Sequence, residues 1–125
     1  MLSQSIHHNN SILGAALAGQ SARIDAIQNN IANAETPRFT ARRVEFESAL
    51  TSAIDNWRST GNLDLSRARP QTHFQDPGTR FRLDGNNVDI EREMVALFTQ
   101  SVRYDVIVNS VLGNTRMLNT VLQGR

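Results

Sequence analysis

Apolar residues recur at alternating intervals of three and four near both ends of the chain, which is the spacing of a heptad repeat. The first stripe extends from Ile6 to Ala34 with two polar interruptions, and the second keeps its spacing without a slip from Ile90 to Leu122. Each stripe predicts a long helix with a narrow apolar seam that we expect to lie between subunits. The principal seam residues are Leu13, Leu17, Ile24, Ile27, Met94, Leu97, Val108, Val111, Leu118 and Leu122.

Local signals mark the ends of the C-terminal helix. Asp89 is a natural N-cap, and the acidic residues Glu91 and Glu93 complement the helix dipole in the first turn.

At 1.5 Å per residue, a helix over about residues 89–123 is roughly 50 Å long, and one over about residues 10–33 is roughly 35 Å long. The longer seam would then extend past the shorter helix, and we expect another chain to cover the remainder.

A polar segment with all three prolines and several turn signals separates the two helices. This change in composition divides the chain into an N-terminal heptad helix (1–35), a central segment (36–87) and a C-terminal heptad helix (88–125). We expect the two terminal helices to form one axial domain.

Within the central segment, two short elements are predicted. Five apolar residues fall on one helical face and predict a short helix at about 46–57: Phe46, Leu50, Ala53, Ile54 and Trp57. Alternating residues around Asp76-Pro77-Gly78 indicate a hairpin at about 72–84, in which residues 72–75 pair with 81–83. The predicted fold class is therefore mainly α, with long terminal helices in a coiled-coil-type layer and a short helix and a candidate β-hairpin between them.

Composition narrows the classes of partner. The chain has 125 residues and a formal net charge of +1, so it generates no strong field toward nucleic acid or an anionic membrane. All thirteen basic residues are arginines, which favours planar pairing with protein carboxylates. No apolar run approaches the roughly 20 residues that span a bilayer. The apolar run at residues 12–19 lacks a preceding basic region, so we do not expect a cleaved signal peptide.

No pattern of catalytic or metal-binding residues is present in the sequence. The chain has no cysteine, and its three histidines have no zinc-site spacing. Asp84 to Asp89 lacks the glycine at the sixth position that a calcium loop requires. Nucleophile elbows, phosphate-binding glycine loops and dinucleotide fingerprints are also missing. We therefore expect no enzymatic activity, cofactor, metal or small-molecule substrate.

The first apolar stripe ends in a cluster of amides followed by Thr-Pro. Asparagine competes with the backbone for hydrogen bonds and is a mediocre helix former, and proline stops the helix. A helix end normally needs one such residue, so the repetition indicates an end held against something polar. The residues of this first block are Asn29, Asn30, Ile31, Asn33, Thr36 and Pro37.

This first block resembles the signature of the flagellar basal-body rod and hook family of axial proteins. A second block from Asp84 to Met94, which includes Asn86, Asn87 and Asp89, resembles the B-type rod subunits of that family. The two blocks supply the residues we predict to be an assembly motif. One departure is at Pro37-Arg38-Phe39, where the family usually has Pro-Gly-Tyr and the glycine permits positive φ in a type II turn.

The resemblance implies a structural subunit of the proximal rod, located in the periplasm and exported without a cleaved signal peptide. Its terminal helices would assemble helically, transmit torque and line the export channel. Its partners would be copies of itself, other rod proteins, the inner-membrane ring and the export gate. An alternative is a soluble coiled-coil adapter or export chaperone, which would explain the seams and neither asparagine block.

Overall fold

The computed structural model describes residues 2–76, 78 and 82–124, and most of them are helical. The terminal helices lie antiparallel: Asn114 near the end of the second donates a hydrogen bond to Asn10 of the first (3.3 Å). At the opposite end, Asn30 of the first donates to Glu93 of the second (3.0 Å). The elements in chain order are α1 (Leu2–Ala32), β1 (Arg42–Glu45), α2 (Glu47–Thr60), β2 (Gln71–Phe74) and α3 (Ile90–Leu122). The predicted fold class is confirmed.

The two terminal helices are nearly equal in length. Helix α1 has 31 residues and α3 has 33, which correspond to roughly 46 Å and 50 Å. The expectation of a much shorter N-terminal helix is therefore wrong, although Leu122 at the end of α3 is 81% exposed. The polar residues before Leu13, including two histidines, weakened the apolar pattern there without preventing the helix.

The main hydrophobic core lies between α1, β1 and α2 and includes no residue of α3. Phe46 immediately precedes α2, and its ring is buried. Leu50 and Ala53 are buried on the face of α2 that packs toward α1. Ala26 of α1 and Val44 of β1 complete the centre of this core. The helix predicted at about 46–57 is thus present as α2, with its apolar face against α1.

A close approach between α1 and Phe46 fixes this packing. A Cβ atom added at Gly19 would lie 2.4 Å from the Phe46 ring. The Arg23 guanidinium lies over the same ring at 5.0 Å and donates to the Val44 carbonyl and the Glu47 carboxylate. The hydrogen bond from Arg23 lowers the pKa of Glu47.

The small sheet differs from the predicted hairpin. Strand β2 pairs antiparallel with β1, with Arg42 opposite Phe74 and Glu45 opposite Gln71. The predicted partner segment, 81–83, does not supply the strand: Arg82 and Leu83 lie in a bend and a turn, and residue 81 is outside the described residues. The pairing was missed because β1 contains one buried apolar residue, Val44, between charged neighbours.

No helix in the described part of the chain is both long and apolar enough to cross a membrane.

The Gly19–Phe46 contact leads to a stability prediction. Gly19→Ala should lower the free energy of unfolding by about 1–3 kcal/mol, because the new methyl group would displace the Phe46 ring or the helix. Urea denaturation of the isolated chain, followed by circular dichroism, measures the change. Gly14→Ala is the matched control: nothing lies within 4 Å of its added Cβ, so the better helix propensity should stabilise α1 by about 0.5–1 kcal/mol. Equal effects of the two substitutions would contradict the proposed close packing.

Candidate functional site: the junction between the terminal helices

The two asparagine blocks, about fifty residues apart in the sequence, meet in one junction between the end of α1 and the start of α3. Asn30, Asn86 and Asn87 are all buried there, and each bonds to backbone groups of another segment. We call this arrangement the junction. Its polar atoms replace the hydrogen bonds that the chain loses where α1 ends.

Asn86 caps the C-terminal end of α1 from across the chain. Its side-chain nitrogen donates to the carbonyls of Asn33 (3.0 Å), Ala34 (3.0 Å) and Thr36 (2.8 Å). Its side-chain oxygen accepts from the amide of Val88 (2.7 Å). One completely buried amide therefore joins the end of α1 to the segment that leads into α3.

The side chain of Asn30 connects α1 to β1 through two hydrogen bonds, one accepted and one donated. Its side-chain oxygen accepts from the Arg42 amide (2.8 Å), and its nitrogen donates to the Arg42 carbonyl (2.9 Å). The same nitrogen donates to Glu93 of α3 (3.0 Å). The carboxamide of Asn30 therefore donates and accepts at the same time. Among neutral side chains, only glutamine carries the same group.

Glu93 is the only residue of α3 that is buried, and its carboxylate is held from two sides. Oε2 accepts from Asn30, and Oε1 accepts from the Arg43 guanidinium at 2.6 Å. The Glu93 side chain is 2% exposed and the Arg43 side chain 37%, so the pair is at the edge of the packed region. Burying a charge is costly unless it is paired, and here it is paired with an arginine and an amide.

The remaining polar residues of the junction make local hydrogen bonds, except Asn87, which bonds to a distant segment of the chain. Asn33 donates to the carbonyl of Asn29 one turn earlier (2.8 Å), and Thr36 donates to the Asn33 side chain (3.2 Å). Asn87 accepts from the buried amide of Ala41 (2.7 Å). Asp89 is the N-cap of α3 and accepts from the amide of Arg92 (3.2 Å), as its position in the sequence predicts.

The turn after Pro37 forms although arginine replaces the usual glycine. Arg38 has φ of 59°, and the Phe39 amide donates to the Thr36 carbonyl at 3.3 Å. The Arg38 amide donates to the Asp84 carbonyl (3.0 Å), which ties the turn to the second block. A left-handed conformation costs a residue with a side chain roughly 1–2 kcal/mol, and these contacts offset that cost.

A second arginine, Arg82, bonds to groups just after the C-terminal end of α1. Arg82 donates to the Ala34 carbonyl (2.9 Å) and forms ion pairs with Glu35 and Asp84. The hydrogen bond to Glu35, followed by the charge of Asp84, raises the pKa of Arg82. Together with Asn86, Arg82 supplies donors to carbonyls that the helix itself leaves without partners.

The predicted seam residues divide into two groups. On α1, Ile27 is buried and Leu13, Leu17 and Ile24 are half-buried. On α3, Leu97, Val108, Val111 and Leu118 are half-buried, whereas Met94 is 59% and Leu122 is 81% exposed. At the start of α3 the buried position is Glu93 and not its neighbour Met94. The seam of α3 is therefore covered along its middle and exposed at the two ends.

A second apolar stripe on α3 was not recognised in the sequence. It lies about half a helical turn from the half-buried residues Leu97 and Tyr104, and its side chains are exposed. We call it the outer stripe; its residues are Val95, Phe98, Val102, Val106, Met117 and Val121. Among the described residues, ten of the twelve large exposed apolar side chains belong to α3 and none to α1.

The described residues contain no group of three or more histidines and acidic residues arranged to hold a metal ion. The contacts of the junction are structural hydrogen bonds, made mainly to backbone groups and, at Glu93, to the side chains of Asn30 and Arg43. The side-chain nitrogen of Asn87 and the side-chain oxygen of Asn29 are buried without a partner among the described residues.

Comparison with known proteins identifies the class to which this architecture belongs. Residues 12–40, which contain the first asparagine block, match the family described as Flagella basal body rod protein. The chain is 33% identical to the flagellar basal body rod protein FlgB of Yersinia enterocolitica over 121 residues, covering 86% of this chain and 88% of that protein. It is 30% identical to FlgB of Bacillus subtilis over 114 residues, covering 87% of this chain and 88% of that protein.

FlgB of Borrelia hermsii is 32% identical over 118 residues, with coverage of 82% and 87% respectively. These matches show that the chain belongs to the family of flagellar basal body rod proteins, as an FlgB-like member. The resemblance carried by the two asparagine blocks is confirmed.

The cap from Asn86 generates the first prediction for the junction. Asn86→Asp keeps the acceptor for Val88 but places a carboxylate oxygen against three carbonyls, so the free energy of unfolding should fall by on the order of 3 kcal/mol. Asn9→Asp, at an exposed position of α1, should change it by less than about 0.5 kcal/mol. Urea denaturation at neutral pH compares the two variants. A small effect at Asn86 would show that its amide is not essential to the junction.

The buried carboxylate generates the second prediction. Glu93→Gln removes the charge that Arg43 and Asn30 bind, and we expect a loss of about 1.5–3 kcal/mol in the free energy of unfolding. Glu91→Gln is the matched control two positions earlier, because Glu91 is exposed and contributes only through the helix dipole, about 0.3–1 kcal/mol. Thermal and urea unfolding of both variants measure the difference. If both substitutions cost the same, Glu93 does not organise the junction.

Proposed function

We propose that this chain is a structural subunit of the flagellar basal body rod, which assembles with copies of itself and other rod proteins through its terminal helices. The observation that carries the proposal is the outer stripe of α3 in a chain whose relatives are rod proteins. The alternative of a soluble coiled-coil adapter or export chaperone is not favoured by those relatives.

The outer stripe has the properties of a surface that another subunit covers. Phe98 is 73% exposed and is followed at helical spacing by Val102 and Val106. Soluble monomers rarely expose contiguous apolar surface of this kind, and larger patches mark interaction sites. Burying each such side chain contributes roughly 1.5–3 kcal/mol, and a polymer repeats that contribution at every subunit.

The two faces of α3 account for a helical arrangement. One face packs on α1 of the same chain, and in this proposal the outer stripe packs on a different surface of the next subunit. Contacts between unlike surfaces generate a ring if the rotation closes and an open helix if it does not. A rod is an open helix of subunits, which is consistent with this division of α3.

The exposed ends of the predicted seam belong to the same proposal. Met94 and Leu122 lie at opposite ends of α3 and are largely exposed, so each is available to a neighbouring subunit. The half-buried seam residues between them would contact both α1 and neighbours. The inter-subunit role of the whole seam, from Leu13 to Leu122, remains a prediction.

The assembly motif acts indirectly in this proposal. The side chains of Asn30, Asn86 and Asn87 are buried and bonded within their own chain, so they would set how α1 and α3 are joined and thereby how both helices meet a neighbour. Asn33, Thr36 and Pro37 would hold the turn that follows.

Location follows from the resemblance of the second block to B-type subunits. We place the subunit in the proximal rod, in the periplasm, next to the inner-membrane ring and the export gate. Its helices would line the export channel and transmit torque, after export without a cleaved signal peptide. The proposal requires no catalysis, nucleic acid or small-molecule substrate.

Substitution in the outer stripe tests the proposal. Phe98→Asp should leave the isolated chain as stable as the parent within about 0.5 kcal/mol, since the residue is exposed. In an assembly it would bury an unpaired carboxylate, so cells with only this variant should lack rods and be non-motile. Electron microscopy of isolated basal bodies and a swimming assay provide the readouts.

Thr51→Asp adds the same charge at an exposed position of α2 and serves as the control; it should support rods and motility. Both variants must be present in cells at the parent level by immunoblot. Normal rods built from Phe98→Asp would show that the outer stripe is not an interface and would remove the main support for assembly through α3.

A further inference from the structure

A cleft of about 410 Å³ lies between α1, the two strands and the first turns of α3. Its walls include small and apolar side chains, among them Ala26, Val44 and Ala96. Arg42, Arg43 and Arg92 also line it. The cleft shares no residue with the outer stripe.

The charge of the cleft is not balanced within the chain. Four arginines and two glutamates line it, a formal surplus of two positive charges. Arg43 is paired with Glu93, and Arg23 is paired with Glu47. Arg42 and Arg92 are exposed and form no ion pair with the described residues. The two guanidinium groups that lack an ion pair belong to β1 and α3, and together with Glu45 they leave one net positive charge in the cleft.

The glutamate that remains, Glu45, does not neutralise them. It pairs with His73 of the neighbouring strand at 3.7 Å, and its side chain is 73% exposed. The guanidinium of Arg42 lies 6.0 Å from the centre of the Phe74 ring. That arrangement orients the guanidinium and leaves its donors available for an acceptor.

A neutral side chain in the same cleft lacks a hydrogen-bond partner. Gln100 of α3 lines the cleft, and its side-chain oxygen is buried without a hydrogen-bond donor among the described residues. Neighbouring atoms cover this oxygen, so a donor brought by a ligand would bond to it once the Gln100 side chain turns toward the cleft. The cleft thus combines cationic groups, an apolar floor and a hydrogen-bond acceptor.

We propose that this cleft binds an acidic segment of another protein chain, with carboxylates paired to Arg42 and Arg92. Arginine presents a planar fork of donors that matches a carboxylate. A polypeptide also brings backbone N–H donors for Gln100 and aliphatic groups for the apolar floor. A lipid headgroup or a nucleic-acid phosphate supplies anionic oxygens without those backbone donors, and two charges are few for a membrane or nucleic-acid surface.

The test is a titration of the full-length chain against a fluorescent peptide, followed by anisotropy at low ionic strength. The peptide contains Glu-Leu-Glu between glycine and serine flanks, because alternate residues of an extended chain place both carboxylates on one side and the leucine on the other. The comparison peptide contains Gln-Leu-Gln. We expect saturable binding of the acidic peptide, at least tenfold weaker binding of the comparison peptide, and weakening as salt is added.

The double variant Arg42→Gln, Arg92→Gln should bind the acidic peptide at least tenfold more weakly, with an unchanged circular dichroism spectrum. Arg103→Gln removes an exposed arginine of α3 outside the cleft and should bind within about twofold of the parent. Equal binding by the double variant, equal binding of the two peptides, or no saturable binding at millimolar peptide would overturn the proposal.

Vesicles of equal parts phosphatidylcholine and phosphatidylglycerol form the last arm. If the parent binds these vesicles, loses that binding in the double variant and ignores the peptide, the cleft is a lipid site and the proposal is wrong. The isolated chain is used throughout, so the result is separate from whether the outer stripe assembles a rod.

Discussion

The carboxylate of Glu93 has to be neutralised inside the protein, and the packed end of the molecule is organised around this requirement. Arg43 supplies the opposite charge from β1, and Asn30 supplies a neutral donor from α1. Because Asn30 also holds both backbone groups of Arg42, the strand that carries Arg43 is fixed to α1. One buried charge therefore sets the relative positions of three elements, and removing any partner would leave another without its bond.

The junction and the outer stripe have different physical roles. The side chains of Asn86 and Asn30 are buried and bond to backbone groups of their own chain, so they specify the geometry of a single subunit. Phe98 and Val102 face outward and contribute little to the isolated chain. If the outer stripe is the interface proposed above, the junction would form before subunits meet, and burial of the exposed apolar side chains would supply free energy of assembly.

The long helices were predictable because the spacing of three and four repeats many times, and the short helix because Phe46, Leu50 and Ala53 share a face. The sheet was not predictable, because strand β1 offers one apolar residue and its partner lies about thirty positions away. Glu93 was interpreted as a partner of the helix dipole, since nothing local distinguishes it from Glu91. The cap from Asn86 to the carbonyls near Ala34 likewise has no local signature, although the second asparagine block predicts a special role for this segment.

The distribution of buried residues along α1 and α3 indicates where order depends on assembly. Helix α2 and the sheet pack beside residues 8 to 26 of α1, and the junction lies beyond them. Toward the other end, Asn10 and Asn114 make a single amide contact, and the residues of α3 from 112 to 124 are mostly exposed. Helical stability comes mainly from packing of an apolar face, so this end gains most when a neighbour covers it. Assembly would then order the same residues that it uses as its interface, which couples folding of the distal helices to their place in a rod.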